Sequence, residues 1–171
     1  MMLIPLAIGT LVAVALIVAL SIVSSRSPSP SSNALVGTRA ASFDLPALQG
    51  RALRAPYRHG QPTVLLFMAS WCGPCQVEIP HVVDYLAHHD VGNVHVVGVD
   101  TADQRTGALA FVARDHVGFP VVFDPNSSVA SSFGLAALPD TVFVRASGTV
   151  AGVVVGPVSD ASLAAGIRAI R

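Results

Sequence analysis

Two cysteines stand two residues apart in Trp71-Cys72-Gly73-Pro74-Cys75, and the chain has no others. Thr63 to Ala69, just before them, is short and strongly apolar and reads as a buried strand. Gln76 to His89, just after, reads as a helix. A strand feeding a helix through this pair puts both sulfurs in the helix's first turn. Residues three apart on a helix are neighbours, so the sulfurs can close a disulfide. So small a ring returns little denatured-state entropy, which points to chemistry rather than to strength. Free N–H groups and the positive end of the helix dipole favour a thiolate there. Cys72, the more N-terminal and more exposed sulfur, is placed to attack a disulfide. Cys75, one turn in, is placed to resolve the mixed disulfide. That exchange needs neither a metal nor an organic cofactor.

Other uses of the pair are weaker. A zinc site needs about four ligands; no second Cys pair exists, and His81 lies well down the same helix. A c-type haem site needs His directly after the second Cys, where Gln76 stands. A purely structural disulfide stays open but is disfavoured by its ring. The chain of 171 residues leaves one domain of ordinary size after an N-terminal segment. With 10 basic and 10 acidic residues and no basic run, no nucleic-acid face is expected.

Residues 1–23 read as a transmembrane anchor. Leu3 to Val23 is uncharged and apolar apart from Thr10 and Ser21. As a helix it would span roughly 30 Å, the thickness of a bilayer core. Its length favours an uncleaved anchor over a cleaved signal peptide. Arg26 and Arg39 follow the span and no basic residue precedes it, which by the positive-inside rule would keep the domain in the cytoplasm. Residues 24–34 are Ser/Pro-rich and read as a solvated tether. Residues 35–171 form the domain.

Within it, Phe43 and Leu45 alternate with polar neighbours, and Gln49-Gly50 offers a turn, so a hairpin is expected. Val94 to Asp100 and Pro120 to Asp124 read as strands, Thr106 to His116 as a helix, and Asn126 to Phe133 as a short helix stopped by Gly134. Val142–Val144 and Thr149–Val155 form a second hairpin. Asp160 to Ile170 is a closing helix capped by Ser159 or Asp160. Strands alternating with helices give an α/β fold around a largely parallel sheet core. Trp71 reads as a residue that packs beside the dithiol and shields it, or as a plain buried anchor. His81, His88 and His89 read as exposed helix-end residues. Pro80 should kink its helix.

Trp-Cys-Gly-Pro-Cys resembles the thioredoxin active site. From Val36 to Arg171 the chain is similar to the TlpA/ResA-like membrane-anchored thiol–disulfide oxidoreductases, although Ala41-Ser42 stand where that family usually has Pro before the Phe segment. The resemblance implies a thioredoxin-like fold with an N-terminal β-hairpin and a central helix–strand insertion between Thr101 and Asp124. It implies an extracytoplasmic domain, against the arginine bias. The buried Asp of thioredoxins is replaced by Leu66, so another group must take the resolving thiol's proton. Glu78 is the candidate, because Cys75-Gln76-Val77-Glu78-Ile79-Pro80 matches the family's Cys-x-x-Glu-x-Pro pattern. It reads equally as an ordinary first-turn Glu. Leu138-Pro139 resembles the loop in which a cis-proline faces the two cysteines; a proline opening a strand is the plain alternative.

The expected catalytic residues are therefore Cys72, Cys75 and Glu78, with Trp71, Gly73, Pro74, Leu138 and Pro139 contacting substrate. The expected partners are protein thiols and disulfides, with a membrane electron donor. The Gly-Pro pair matches thioredoxin, a reductant, and the resemblance extends to reducing apocytochrome c. The rival readings are a disulfide-forming oxidant, a thiol peroxidase and a metal-binding module. A peroxiredoxin's peroxidatic Cys would follow Pro and Thr, whereas Met68-Ala69-Ser70-Trp71 precede Cys72.

Overall fold

The computed structural model describes residues 34–171; the expected membrane span and nearly all of the tether lie outside the described residues. In chain order the elements are β1 (Asp44–Leu45), β2 (Leu53–Arg54), a 3-10 turn at Pro56–His59, β3 (Thr63–Met68), α1 (Gly73–His88), β4 (His95–Thr101), α2 (Arg105–Arg114), β5 (Val121–Asp124), α3 (Ser128–Ser132), β6 (Asp140–Val144), β7 (Val150–Val155) and α4 (Asp160–Ile170). The main sheet has the order β5-β4-β3-β6-β7. β3, β4 and β5 run parallel, and β6 and β7 are antiparallel to their neighbours.

β3 holds the centre. All six of its residues are buried, because helices or loops cover both faces, which is why its sequence is a continuous apolar run rather than an alternation. On one face Val64, Leu66 and Met68 pack with Ile79 and Val82 of α1, Phe111 of α2 and Leu163 and Ile167 of α4. On the other, Leu65 and Phe67 pack with Phe133 after α3 and with Phe43 and Tyr57 of the N-terminal arm. The α2–β5 unit extends the sheet where the resemblance places its insertion. α1 continues through Pro80. α4 is preceded by its N-cap Ser159, whose side chain and that of Ser162 cap each other's backbone.

The expected N-terminal hairpin forms, with Gln49-Gly50 inside its link. β1 and β2 pair over only two residues each, and the link between them is put to another use. Phe123 N–H donates to the Pro46 carbonyl and Leu48 N–H to the Val121 carbonyl, so this stretch covers the open edge of β5.

Charge is sorted by depth. Glu78, Asp100, Asp103, Asp124 and Asp140 are buried, half of the ten acidic residues, while every arginine among the described residues is exposed.

α4 sits close against β6. A Cβ on Gly166 would lie 2.2 Å from Cε1 of Phe143, a ring only 2% exposed. Gly166→Ala is therefore expected to destabilise the fold by about 3 kcal/mol, despite alanine's better helix propensity. Thermal unfolding should show the midpoint falling by on the order of 10 °C. An unchanged midpoint would mean that Phe143 can vacate its rotamer freely.

Candidate active site

β3 ends at Met68, and Cys72 follows as the N-cap of α1 with extended backbone (φ −82°, ψ 104°). Its Sγ accepts the Cys75 N–H at 3.2 Å, and its carbonyl accepts the Gln76 N–H at 3.1 Å. Gly73 and Pro74 fill the first two helical positions, where proline's missing N–H is no loss. The two sulfurs are bonded to each other, with Cα atoms 5.2 Å apart. Cys72 is 4% exposed and Cys75 0%, so the order of exposure is as expected, although both are largely covered. An N-cap sulfur that already accepts a backbone N–H is where a thiolate would be stabilised after reduction.

The second side of the site comes from β6. It pairs with β3 through Leu66↔Thr141 and Phe67↔Asp140; the next residue back, Pro139, therefore lies beside the end of β3. The Leu138–Pro139 peptide bond is cis. The Pro139 carbonyl accepts the Gly156 N–H at 2.9 Å. Leu138 is half-buried and, with Trp71, Ala102, Ala130 and Ala137, lines a cleft of about 210 Å³ that is largely apolar.

Trp71 is not the plain buried anchor of the alternative reading. Its side is open, the residue being 61% exposed, because Nε1 donates to the Ala102 carbonyl at 2.9 Å and holds the indole against the β4–α2 loop. Gly73 and Pro74 are exposed beside it. His81 is exposed, as expected, although it lies within α1 rather than at its end; its Nε2 lies 2.9 Å from Asp160 and ties α1 to the start of α4.

Glu78 is 2% exposed, not the solvated first-turn Glu of the plain reading. Oε1 accepts the Val158 N–H at 2.7 Å, while Oε2 is buried without a partner. Burial pushes its carboxyl up to about 7; the Val158 N–H opposes this, the Asp140 carboxyl adds to it, and His81 opposes it weakly. Asp140 is itself buried and raised by that burial, with the Gly156 N–H working against the rise. A carboxyl poised near neutrality three residues from Cys75, on the same helix face, can accept or return a thiol proton.

Three acids went unassigned in the sequence. Asp140 directly follows the proline, Asp100 lies near the end of β4, and Asp103 lies in the loop after it. The available signal was an acid inside or just beyond an apolar strand, at the strand ends where an open α/β sheet places its site.

Residues 36–153 match the model of the AhpC/TSA family. The chain is 26% identical over 136 residues to the thiol–disulfide oxidoreductase ResA of Geobacillus thermodenitrificans, covering 80% of this chain and 78% of that one. It is 27% identical over 127 residues to ResA of Bacillus subtilis, covering 74% and 71%. Among solved structures it resembles MTB DsbF, with 34% identity and a TM-score of 0.68 over 75% of this chain and 95% of that one. It also resembles the thiol:disulfide interchange protein DsbE from Chlorobium tepidum, with 27% identity and a TM-score of 0.71 over 80% and 98%. The fold, the bonded cysteine pair and these likenesses agree: the chain belongs to the AhpC/TSA family and is a TlpA/ResA-like thiol–disulfide oxidoreductase.

Proposed function

We propose that the protein is a membrane-anchored, extracytoplasmic reductant of protein disulfides, with residues 1–23 as anchor, 24–34 as tether and 35–171 as the catalytic domain. The observation that carries the reading is the bonded Cys72–Cys75 pair at the helix N-terminus, with the cis Leu138–Pro139 loop on one side and Glu78 beneath. In the reduced protein the Cys72 thiolate attacks a substrate disulfide. One substrate sulfur leaves as a thiolate and a mixed disulfide forms. Cys75 then gives its proton to Glu78 and attacks Cys72. The second substrate sulfur leaves, two electrons have passed to the substrate, and the Cys72–Cys75 bond has formed. Trp71, Gly73, Pro74, Leu138 and Pro139 offer the surface on which the substrate peptide lies. A membrane electron donor restores the dithiol. Apocytochrome c is the substrate that the family likeness supports.

The same site run backwards is an oxidant, and the bonded pair is the form such an enzyme would bring to its substrate. Redox titration of the full chain in detergent, against glutathione and dithiothreitol buffers, separates the two. A reversible two-electron couple at about −250 mV or below is expected of the reductant; one near about −120 mV would make it an oxidant. Absence of any reversible couple would overturn exchange altogether.

A further inference from the structure

Of the buried acids, exchange uses Glu78, Asp140 lies beside it, and Asp124 binds the first amides of α3. Asp100 and Asp103 remain. Asp100 is wholly buried on β4, and neither carboxyl oxygen meets a donor. Val97 and Val99 point to the α3 side, so strand alternation turns Asp100 to the α1–α2 side, opposite Met68 in register. As a carboxylate it would be a bare charge in an apolar layer. Protonated, it becomes a donor, and the Asp103 carboxyl is the acceptor within reach.

Asp103 is engaged on its other side. It accepts the Ser70 N–H, the Ser70 hydroxyl at 2.9 Å and the Gln104 N–H at 2.6 Å. The Ser70 carbonyl in turn accepts from the Gln76 side-chain amide at 2.7 Å. Trp71 is bound to Ala102 in the same loop, and Ala102 sits at φ 52°, a left-handed conformation that a non-glycine residue holds only under constraint. Gly107 of α2 passes so close that a Cβ there would meet Ser70 Oγ at 2.7 Å. The two residues leading into Cys72 are thus fixed by the β4–α2 loop.

Building on the exchange reading, we propose that Asp103, backed by a hydrogen bond from Asp100, is a positioning residue that clamps the Ser70–Trp71 turn and so sets Cys72 for attack. The clamp has an upper pH limit. Burial first, then the charge and hydrogen bond of Asp103, push the Asp100 carboxyl up to about 8. Above that, two carboxylates face each other and the turn is released. Other charges are directed elsewhere. Arg105 on α2 donates to the Leu48 carbonyl and lies over the Phe123 ring. Asp124 on β5 belongs to the opposite face and accepts the Thr101 hydroxyl. Glu78 on α1 turns to Val158. β3 contributes Met68, which does not titrate.

Trp71, the chain's single tryptophan, lies inside the clamp and reports on it. In the oxidised full chain in detergent no thiol titrates, and Trp71 emission should change with a midpoint near pH 8. In Asp100→Asn, whose amide donates without ionising, that transition should vanish. Asp103→Asn, which offers one acceptor where two are needed, should slow reduction of a model protein disulfide about tenfold. Ser70→Ala, which removes a single hydroxyl from a half-buried site, should slow it about threefold and decides the matter if Asp103→Asn does not fold. Wild-type rates in both variants, or an unaltered pH transition in Asp100→Asn, would overturn the clamp. If the wild-type chain performs no exchange, the functional reading fails, and the Trp71 titration still decides whether the clamp exists.

Discussion

Cys72→Ser is expected to abolish disulfide reduction, lowering the rate constant by about 10³-fold or more, the scale of losing a covalent nucleophile. The N-cap position makes this asymmetric. Cys72 carries the exposed edge of the pair and accepts the Cys75 N–H, whereas Cys75 is wholly covered. Cys75→Ser should therefore retain the first attack and lose only the resolving step, so that a mixed disulfide accumulates. Mass spectrometry of each variant after incubation with a model protein disulfide checks both halves. A stable adduct on Cys75 of Cys72→Ser, with none on Cys72 of Cys75→Ser, would reverse the assignment of attacking and resolving sulfur.

Glu78→Gln is expected to slow the resolving step by about 10²-fold, the usual worth of a positioned proton acceptor. The amide keeps an oxygen for the Val158 N–H, so the fold is retained. The wild-type rate should rise with pH through about 7, where Glu78 ionises, and the variant should lose that inflection. Single-turnover reduction followed between pH 5.5 and 8.5 gives both readings. The same carboxyl also governs stability. Its folded value, about 7, lies above the ordinary 4.5, as does that of Asp100, about 8 against 3.8. The folded chain then holds protons that the unfolded chain releases. Stability is full below about pH 4, falls as pH rises through the window to about 7 or 8, and levels off above it. For Glu78 the loss is on the order of 3 kcal/mol, and Glu78→Gln should remove that part of the slope. A melting temperature that rises from pH 5 to pH 8 would contradict this sign.

The elements carrying their own local signals were legible in the sequence. Thr63–Met68 is apolar throughout because both faces are covered, and α4 announces itself through Ser159 and the spacing of Leu163, Ile167 and Ile170. The cysteine pair placed itself, since a strand, a proline and a helix start are all local. The Leu138–Pro139 loop was reachable only through likeness to other chains, because nothing in those residues selects a cis bond. Features that depend on distant partners were not legible. Trp71 is outside because a carbonyl 31 residues away holds its indole. The hairpin link is long because β5 needs an edge partner. Asp100 and Asp103 matter only once β4 has been laid beside β3, and the sequence lists them as two acids among ten.

The depth sorting of charge has a consequence for how the molecule is met in solution. Counting residues yields electroneutrality, with 10 basic and 10 acidic side chains. The water-facing shell is different: it keeps the described arginines and has surrendered half of the acids to the interior. An approaching protein therefore meets more guanidinium than carboxylate groups at the described surface. Any attraction these groups exert on a partner's carboxylates fades over a screening length of about 8 Å at physiological salt. Guanidinium groups are weakly hydrated forks that match carboxylates two bonds at a time. A carboxylate on a partner's surface can thus be held by such a fork without any part being taken by the sulfurs.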